Sequence, residues 1–106
     1  MTIQKEQAKF LKCLGEPTRL QILKLLADGE KYVGEIIETL NREQSLVSHH
    51  LKALKKCGIV VGRQKAPRIY YRLADVRLTE LVLMCESIVQ GISGRENRPL
   101  SSGKQA

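Results

Sequence analysis

A change of hydrophobic period at Gly58 constrains this chain more than any other feature. Before it, apolar residues recur at the three- and four-residue spacing of helices. After it come IVVGRQ (59–64) and IYYRL (69–73), which are β-branched and aromatic runs joined by KAPR. Such runs suit a two-stranded sheet, with Pro67 in the connecting turn, where its missing N–H costs nothing. The expectation is a mainly α domain carrying one small β-hairpin.

Upstream, residues 5–14 form a short amphipathic helix with Ala8, Phe10, Leu11 and Leu14 near one side. Gly15 and Pro17 interrupt it. In residues 18–27, Leu20, Leu23 and Ala27 make a stripe that Ile22, Leu25 and Leu26 broaden, the pattern of a central helix. DGE at 28–30 is a turn signal. Val33, Ile36, Ile37 and Leu40 mark a third helix over 33–40, and Asn41 to Gln44 separate it from a fourth over 45–56. There Val47, Leu51 and Leu54, with Leu46, form the buried stripe. A last helix spans 76–90, with Leu78, Leu81, Val82, Cys85, Ile88 and Val89 in helical register. A polar tail follows Gly91, so residues 1–92 read as one domain and 93–106 as a frayed end.

Charge sharpens this order into a function. The chain has 106 residues and a net charge of +7. Residues 44–74 hold Lys52, Lys55, Lys56, Arg63, Lys65, Arg68 and Arg72 and no acid, whereas basic and acidic residues balance on either side. Basic charge gathered on one stretch is the electrostatic footprint of a polyanion ligand. Two short helices with a tight connection suggest helix-turn-helix, and the basic hairpin adds a wing. The contact set is then Gln44, Ser45, Val47, Ser48, His49 and Lys52 on the second helix, and Arg63, Lys65 and Arg68 on the hairpin. Side-chain hydrogen bonds read bases, while cations and the helix N-terminus hold phosphates. Ser45 has an alternative use as a cap. His49 faces DNA, while His50 either contacts DNA or supports the helix. The pair is a poor metal site, because adjacent helical side chains diverge by about 100°. A basic protein–protein interaction module is the reading from another class. No uninterrupted apolar run is long enough for a membrane span, no secretory signal opens the chain, and the expected compartment is the cytoplasm. HExxH and phosphate-loop motifs are absent, so no enzyme is indicated.

LGEPTRLQILKLL (14–26), VGEIIETL (33–40), QSLVSHHLKALKKCGIV (44–60) and RQKAPRIYYRLAD (63–75) together resemble the ArsR/SmtB family of repressors. The resemblance implies a winged helix-turn-helix homodimer joined through its first and last helices. It further implies binding to an imperfectly palindromic double-stranded operator, with release by an inducer, often a thiophilic metal or arsenite. Other members respond to oxidation, and some have no known effector. The cysteine pair of arsenic-sensing relatives has no counterpart in YVGEIIETL, and the last helix carries no His for the zinc site that other members have between their last helices. Three cysteines remain. Cys57 is the leading candidate as soft-metal ligand or redox thiol, because Lys55 and Lys56 beside it favour a thiolate. Cys13 is its expected companion, from the first helix of the other subunit by analogy with some arsenite sensors. Cys85, on the apolar stripe, is expected to pack as a buried hydrophobe.

Overall fold

The computed structural model describes residues 2–96. Thr2 starts the first helix, α1 (Ile3–Leu14), by accepting from the Lys5 N–H. Gly15 closes it. Glu16 then accepts from the Arg19 N–H at 3.0 Å and Pro17 occupies the first helical position of α2 (Pro17–Leu26). A carboxylate cap followed by proline is a strong helix start, because both relieve the unsatisfied first-turn donors. Three residues therefore end one helix and begin the next.

A two-residue strand, β1 (Lys31–Tyr32), leads directly into α3 (Val33–Leu40). The Glu35 carboxylate accepts from the Tyr32 N–H at 2.9 Å and fixes that start. Asn41 ends α3 in the left-handed region at φ 53°, a conformation Asn tolerates better than most residues. After a short turn comes α4 (Gln44–Lys56), stopped by Cys57 and by Gly58 at φ 77°. Strands β2 (Val60–Lys65) and β3 (Arg68–Leu73) form the hairpin, and α5 (Arg77–Glu96) completes the described chain.

The expected helices and hairpin are present. The sheet, however, has three strands in the order β1-β3-β2, because Lys31 and Tyr32 pair with Tyr71 and Tyr70 on the free edge of β3. A two-residue strand carries no alternation of its own; only the edge it meets defines it. The last helix also runs past Gly91 and Gly94 to Glu96. The helical cost of glycine, about 1 kcal/mol each, does not stop it. The rest of the expected tail, residues 97–106, lies outside the described residues.

Ile22, Leu23, Ile36, Val47, Leu51, Leu54, Ile59 and Val60 form the fully buried centre. Each such side chain contributes about 1.5–3 kcal/mol relative to an exposed position. Helix α2 lies at the middle, against α3, α4, α5 and β3, as its wide apolar face requires. The outer helices behave differently. On α1 only Cys13 and Leu14 are buried, with Phe10 packed behind them, while Leu11 is exposed. Among the described side chains of α5 only Leu78 and Val82 reach the core; Leu81, Ile88 and Val89 are exposed. Cys85 is exposed too, contrary to the expectation of a buried hydrophobe. A 20-residue helix is about 30 Å long, and only its first turns lie over the core.

Candidate nucleic-acid interface

Helix α4 is held by its inner stripe. Val47, Leu51 and Leu54 are each 0% exposed. That placement removes Val47 from the set of DNA-facing residues: its side chain is spent on packing α4 against the core. The burial of the stripe turns the opposite side outward. Gln44, Ser45, Ser48, His49 and Lys52 are all exposed, and positions 45, 48, 49 and 52 fall on one face by the three- and four-residue rule. Lys55 and Lys56 extend the cationic end of that surface. Ser45 is not the cap; Glu43 occupies that place, and the Ser45 hydroxyl lies 3.4 Å from its carboxylate.

His50 points inward and is 6% exposed. Its Nδ1 accepts from Arg19 Nε at 3.0 Å, and its Nε2 lies 3.7 Å from Glu16 Oε1. An accepting Nδ1 places the proton of the neutral ring on Nε2, facing Glu16. Burial, the largest influence, lowers the pKa of His50, and Arg19, His49 and Arg42 add to that while Glu16 opposes it. His50 thus supports the helix, and His49, its ring centroid 5.1 Å away, is the histidine of the outer face. The Arg19 guanidinium also donates to the Cys13 carbonyl at 3.2 Å. One side chain of α2 thereby links the end of α1 to the middle of α4.

The wing brings Arg63 opposite Tyr70 and Lys65 opposite Arg68, with Ala66 and Pro67 at the turn. Its arginines are braced. Arg63 donates to Glu30 from Nε at 3.1 Å and from the terminal nitrogen at 2.7 Å, and lies 5.2 Å over the Tyr70 ring. Arg68 stacks 4.4 Å over Tyr32. The Arg63 hydrogen bond holds the Glu30 carboxyl below its ordinary range. Sequence reasoning assigned Arg63 and Arg68 to DNA and missed Glu30 and Tyr32, which orient them. DGE reads as a turn, and nothing local connects it to a strand 33 positions away.

The cysteines also differ from expectation. Cys13 and Cys57 meet within one chain, lining a single cleft with Lys9, Lys12 and Arg19. Cys13 is buried; Cys57 and Cys85 are exposed. Among the described residues no group of three or more His, Cys, Asp or Glu side chains is placed to hold a metal ion. Nor is any described helix long and apolar enough to cross a membrane.

Comparison with known proteins agrees with this geometry. Residues 16–61 match the family model described as bacterial regulatory protein, arsR family. An uncharacterized HTH-type transcriptional regulator of Methanocaldococcus jannaschii is 42% identical over 82 residues, covering 76% of this chain and 92% of that protein. The HTH-type transcriptional repressor SmtB of Mycobacterium tuberculosis is 39% identical over 75 residues, 71% of this chain; the alignment spans only 56% of that repressor's length. Among solved structures, the homodimeric winged helix-turn-helix DNA-binding domain of a Mycobacterium bovis protein superposes with a TM-score of 0.77 at 31% identity. It covers 87% of this chain and 86% of that domain.

Proposed function

The chain belongs to the ArsR family of winged helix-turn-helix transcriptional regulators, which are not enzymes, and from that premise we propose a homodimeric repressor that reads an imperfectly palindromic operator through the outer face of α4. The observation that carries the reading is the division of α4 itself. Val47, Leu51 and Leu54 lock it into the core, and the residues left outside are hydrogen-bonding and cationic. Gln44, Ser45, Ser48 and His49 lie toward the N-terminal half, the part of a recognition helix that meets base edges. Lys52, Lys65 and the braced Arg63 and Arg68 supply phosphate contacts, which position the protein without reading sequence. The compartment that goes with such a ligand is the cytoplasm.

The dimer reading rests on surface left over by the fold. Ile3 and Leu11 on α1 and Leu81, Met84 and Ile88 on α5 are between 38 and 66% exposed. Phe10 of α1 lines one shallow cleft with Leu81 and Met84 of α5, and exposed apolar surface shared by two helices of a small domain marks an association site. The Mycobacterium bovis domain, described as homodimeric, supports a second copy of the chain as the occupant. A charge at Leu81 then opposes assembly: Leu81→Glu is expected to sediment as one chain at micromolar concentration while the parent sediments as two. A parent that is monomeric throughout that range refutes the dimer.

The DNA reading is tested by binding to the promoter of its own operon and to scrambled duplex at several salt concentrations. Tighter binding to the promoter, with affinity falling as salt rises, is expected. Equal affinity for both overturns a sequence-preferring repressor, and no binding to either points to a protein-interaction module. An effector that is a thiophilic metal or metalloid acts at Cys13 and Cys57, the soft ligands that share a cleft. Arsenite, cadmium, lead and zinc, each titrated into the operator complex, are expected to release it only while Cys57 is present.

A further inference from the structure

The Ala53 carbonyl on α4 receives two donors from opposite directions. The Cys57 N–H reaches it at 3.1 Å along the helix, and the Cys13 thiol reaches it at 3.8 Å from α1. The same two cysteines line one cleft. Cys57 is exposed at the C-terminal cap of α4, next to Gly58, where the chain leaves the helix. Cys13 is 5% exposed. An accessible thiol and a sheltered one thus share one cleft.

We infer that Cys13 and Cys57 of one chain are an oxidisable dithiol, closed by a hydroperoxide into an intrachain disulfide that ties the end of α1 to the C-terminal cap of α4 and weakens operator binding. The effect on DNA rests on the repressor reading above; the disulfide does not.

The chemistry balances in two steps. The exposed Cys57 sulfur attacks the peroxide oxygen; the O–O bond breaks, Cys57 becomes a sulfenic acid, and the other oxygen leaves as water or alcohol. Cys13 then attacks the Cys57 sulfur; the S–S bond forms, the S–O bond breaks, and the hydroxyl departs with the Cys13 proton as water. Two thiols are oxidised by two electrons and one peroxide is reduced. Cys13 is sheltered from solvent while Cys57 is exposed, so peroxide meets Cys57 first and Cys13 takes the second, resolving step. Arg19, 3.7 Å from the Cys13 sulfur, favours its negative charge as the proton leaves.

The path to DNA is short. Arg19 binds the Cys13 carbonyl and sulfur with one nitrogen and His50 with another. Drawing the Cys13 sulfur toward Cys57 acts on α4 at its cap directly and at His50 through Arg19. A ligand or modification shifts an equilibrium only through unequal stability of its two states. The difference here is whether α4 adjusts independently of α1, the helix that the proposed dimer holds fixed.

The test treats the reduced full-length protein with hydrogen peroxide, then maps its peptides without reduction. Expected is a monomer-sized product on non-reducing electrophoresis, lighter by two hydrogen atoms, with the Cys13 and Cys57 peptides joined. Operator affinity should fall about tenfold or more and return with a dithiol reductant. Cys85→Ser should behave like the parent. Cys13→Ala should stop at a Cys57 sulfenic acid that dimedone traps; if that variant fails to fold, the map of the parent protein decides alone. A bridge involving Cys85, a bridge between chains, or two intact thiols after exhaustive treatment overturns the dithiol. A complete Cys13–Cys57 bridge with unchanged operator affinity overturns the coupling. Reduced protein that ignores its operator counts against the repressor reading and leaves the map standing as evidence on the dithiol.

Discussion

The two sides of α4 answer to different partners. Inside, Leu51 and Leu54 are wholly enclosed, and His50 is bound to Arg19. Outside, Ser48, His49 and Lys52 stand exposed on the same turns. A quarter-turn separates His49 from His50, yet one faces solvent and the other takes part in the fold's internal wiring. Residue type therefore says little about role on this helix, and angular position says nearly everything. Substitutions on the inner side should register in stability first and in DNA binding only as a consequence. Those on the outer side should do the reverse.

The largest separation should come from Leu51→Ala. Removing a fully enclosed leucine leaves a cavity and is expected to cost about 2–5 kcal/mol of folding free energy, read from denaturant unfolding. Ser48→Ala or His49→Ala should alter that same curve by less than about 0.5 kcal/mol. Each should weaken promoter binding by about 1–3 kcal/mol where a base contact is lost, with scrambled DNA much less affected. If the outer variants lose stability rather than specificity, the division of the helix is wrong.

The pH response sharpens the contrast between the two histidines. The folded state lowers the pKa of His50 below its ordinary 6.5. Below that value the unfolded chain binds the proton more readily than the folded one, so stability rises with pH there. The contribution is fully present above about pH 6.5 and is lost as pH falls toward the folded pKa. His50→Gln should flatten the dependence of unfolding free energy on pH in this window, whereas His49→Gln, which removes only a lesser influence on His50, should change it less. Equal slopes in both variants would falsify the inward role of His50.

The smallest effect concerns the wing. Glu30 neutralises Arg63 in the free chain, so the full cationic charge of the wing is not presented to DNA. Glu30→Gln should leave the melting curve nearly in place, because the pair is exposed and screened. It should tighten binding to any duplex and steepen the dependence of log affinity on log salt by about one phosphate's worth, roughly 0.9. An unchanged slope would mean that Arg63 exchanges Glu30 for phosphate without hindrance, or reaches no phosphate even when freed.

Much of the architecture was present in local signals. Periodicity at 33–40 and 45–56, the stop at Gly58 and the β-branched runs beyond it specify helix, turn, helix and hairpin. Caps and periods act over a few residues and survive in one dimension. The acid-free stretch 44–74 and the polar side of α4 were legible for the same reason, since helical geometry converts spacing into a face. The tertiary structure decided the pairings. β1 exists because β3 has a free edge, and Arg63 is braced because the turn before β1 carries Glu30 to it. His50 turned out structural because α2 delivers Arg19, 31 positions away in sequence. Cys13 and Cys57 meet in one chain because α1 crosses the C-terminal end of α4. Cys85, in step with an apolar stripe, is exposed because α5 outruns the core. Hydrophobic period reports that a face wants cover but not what covers it. A hydrogen bond or thiol contact between helices depends on packing distances that no local pattern records.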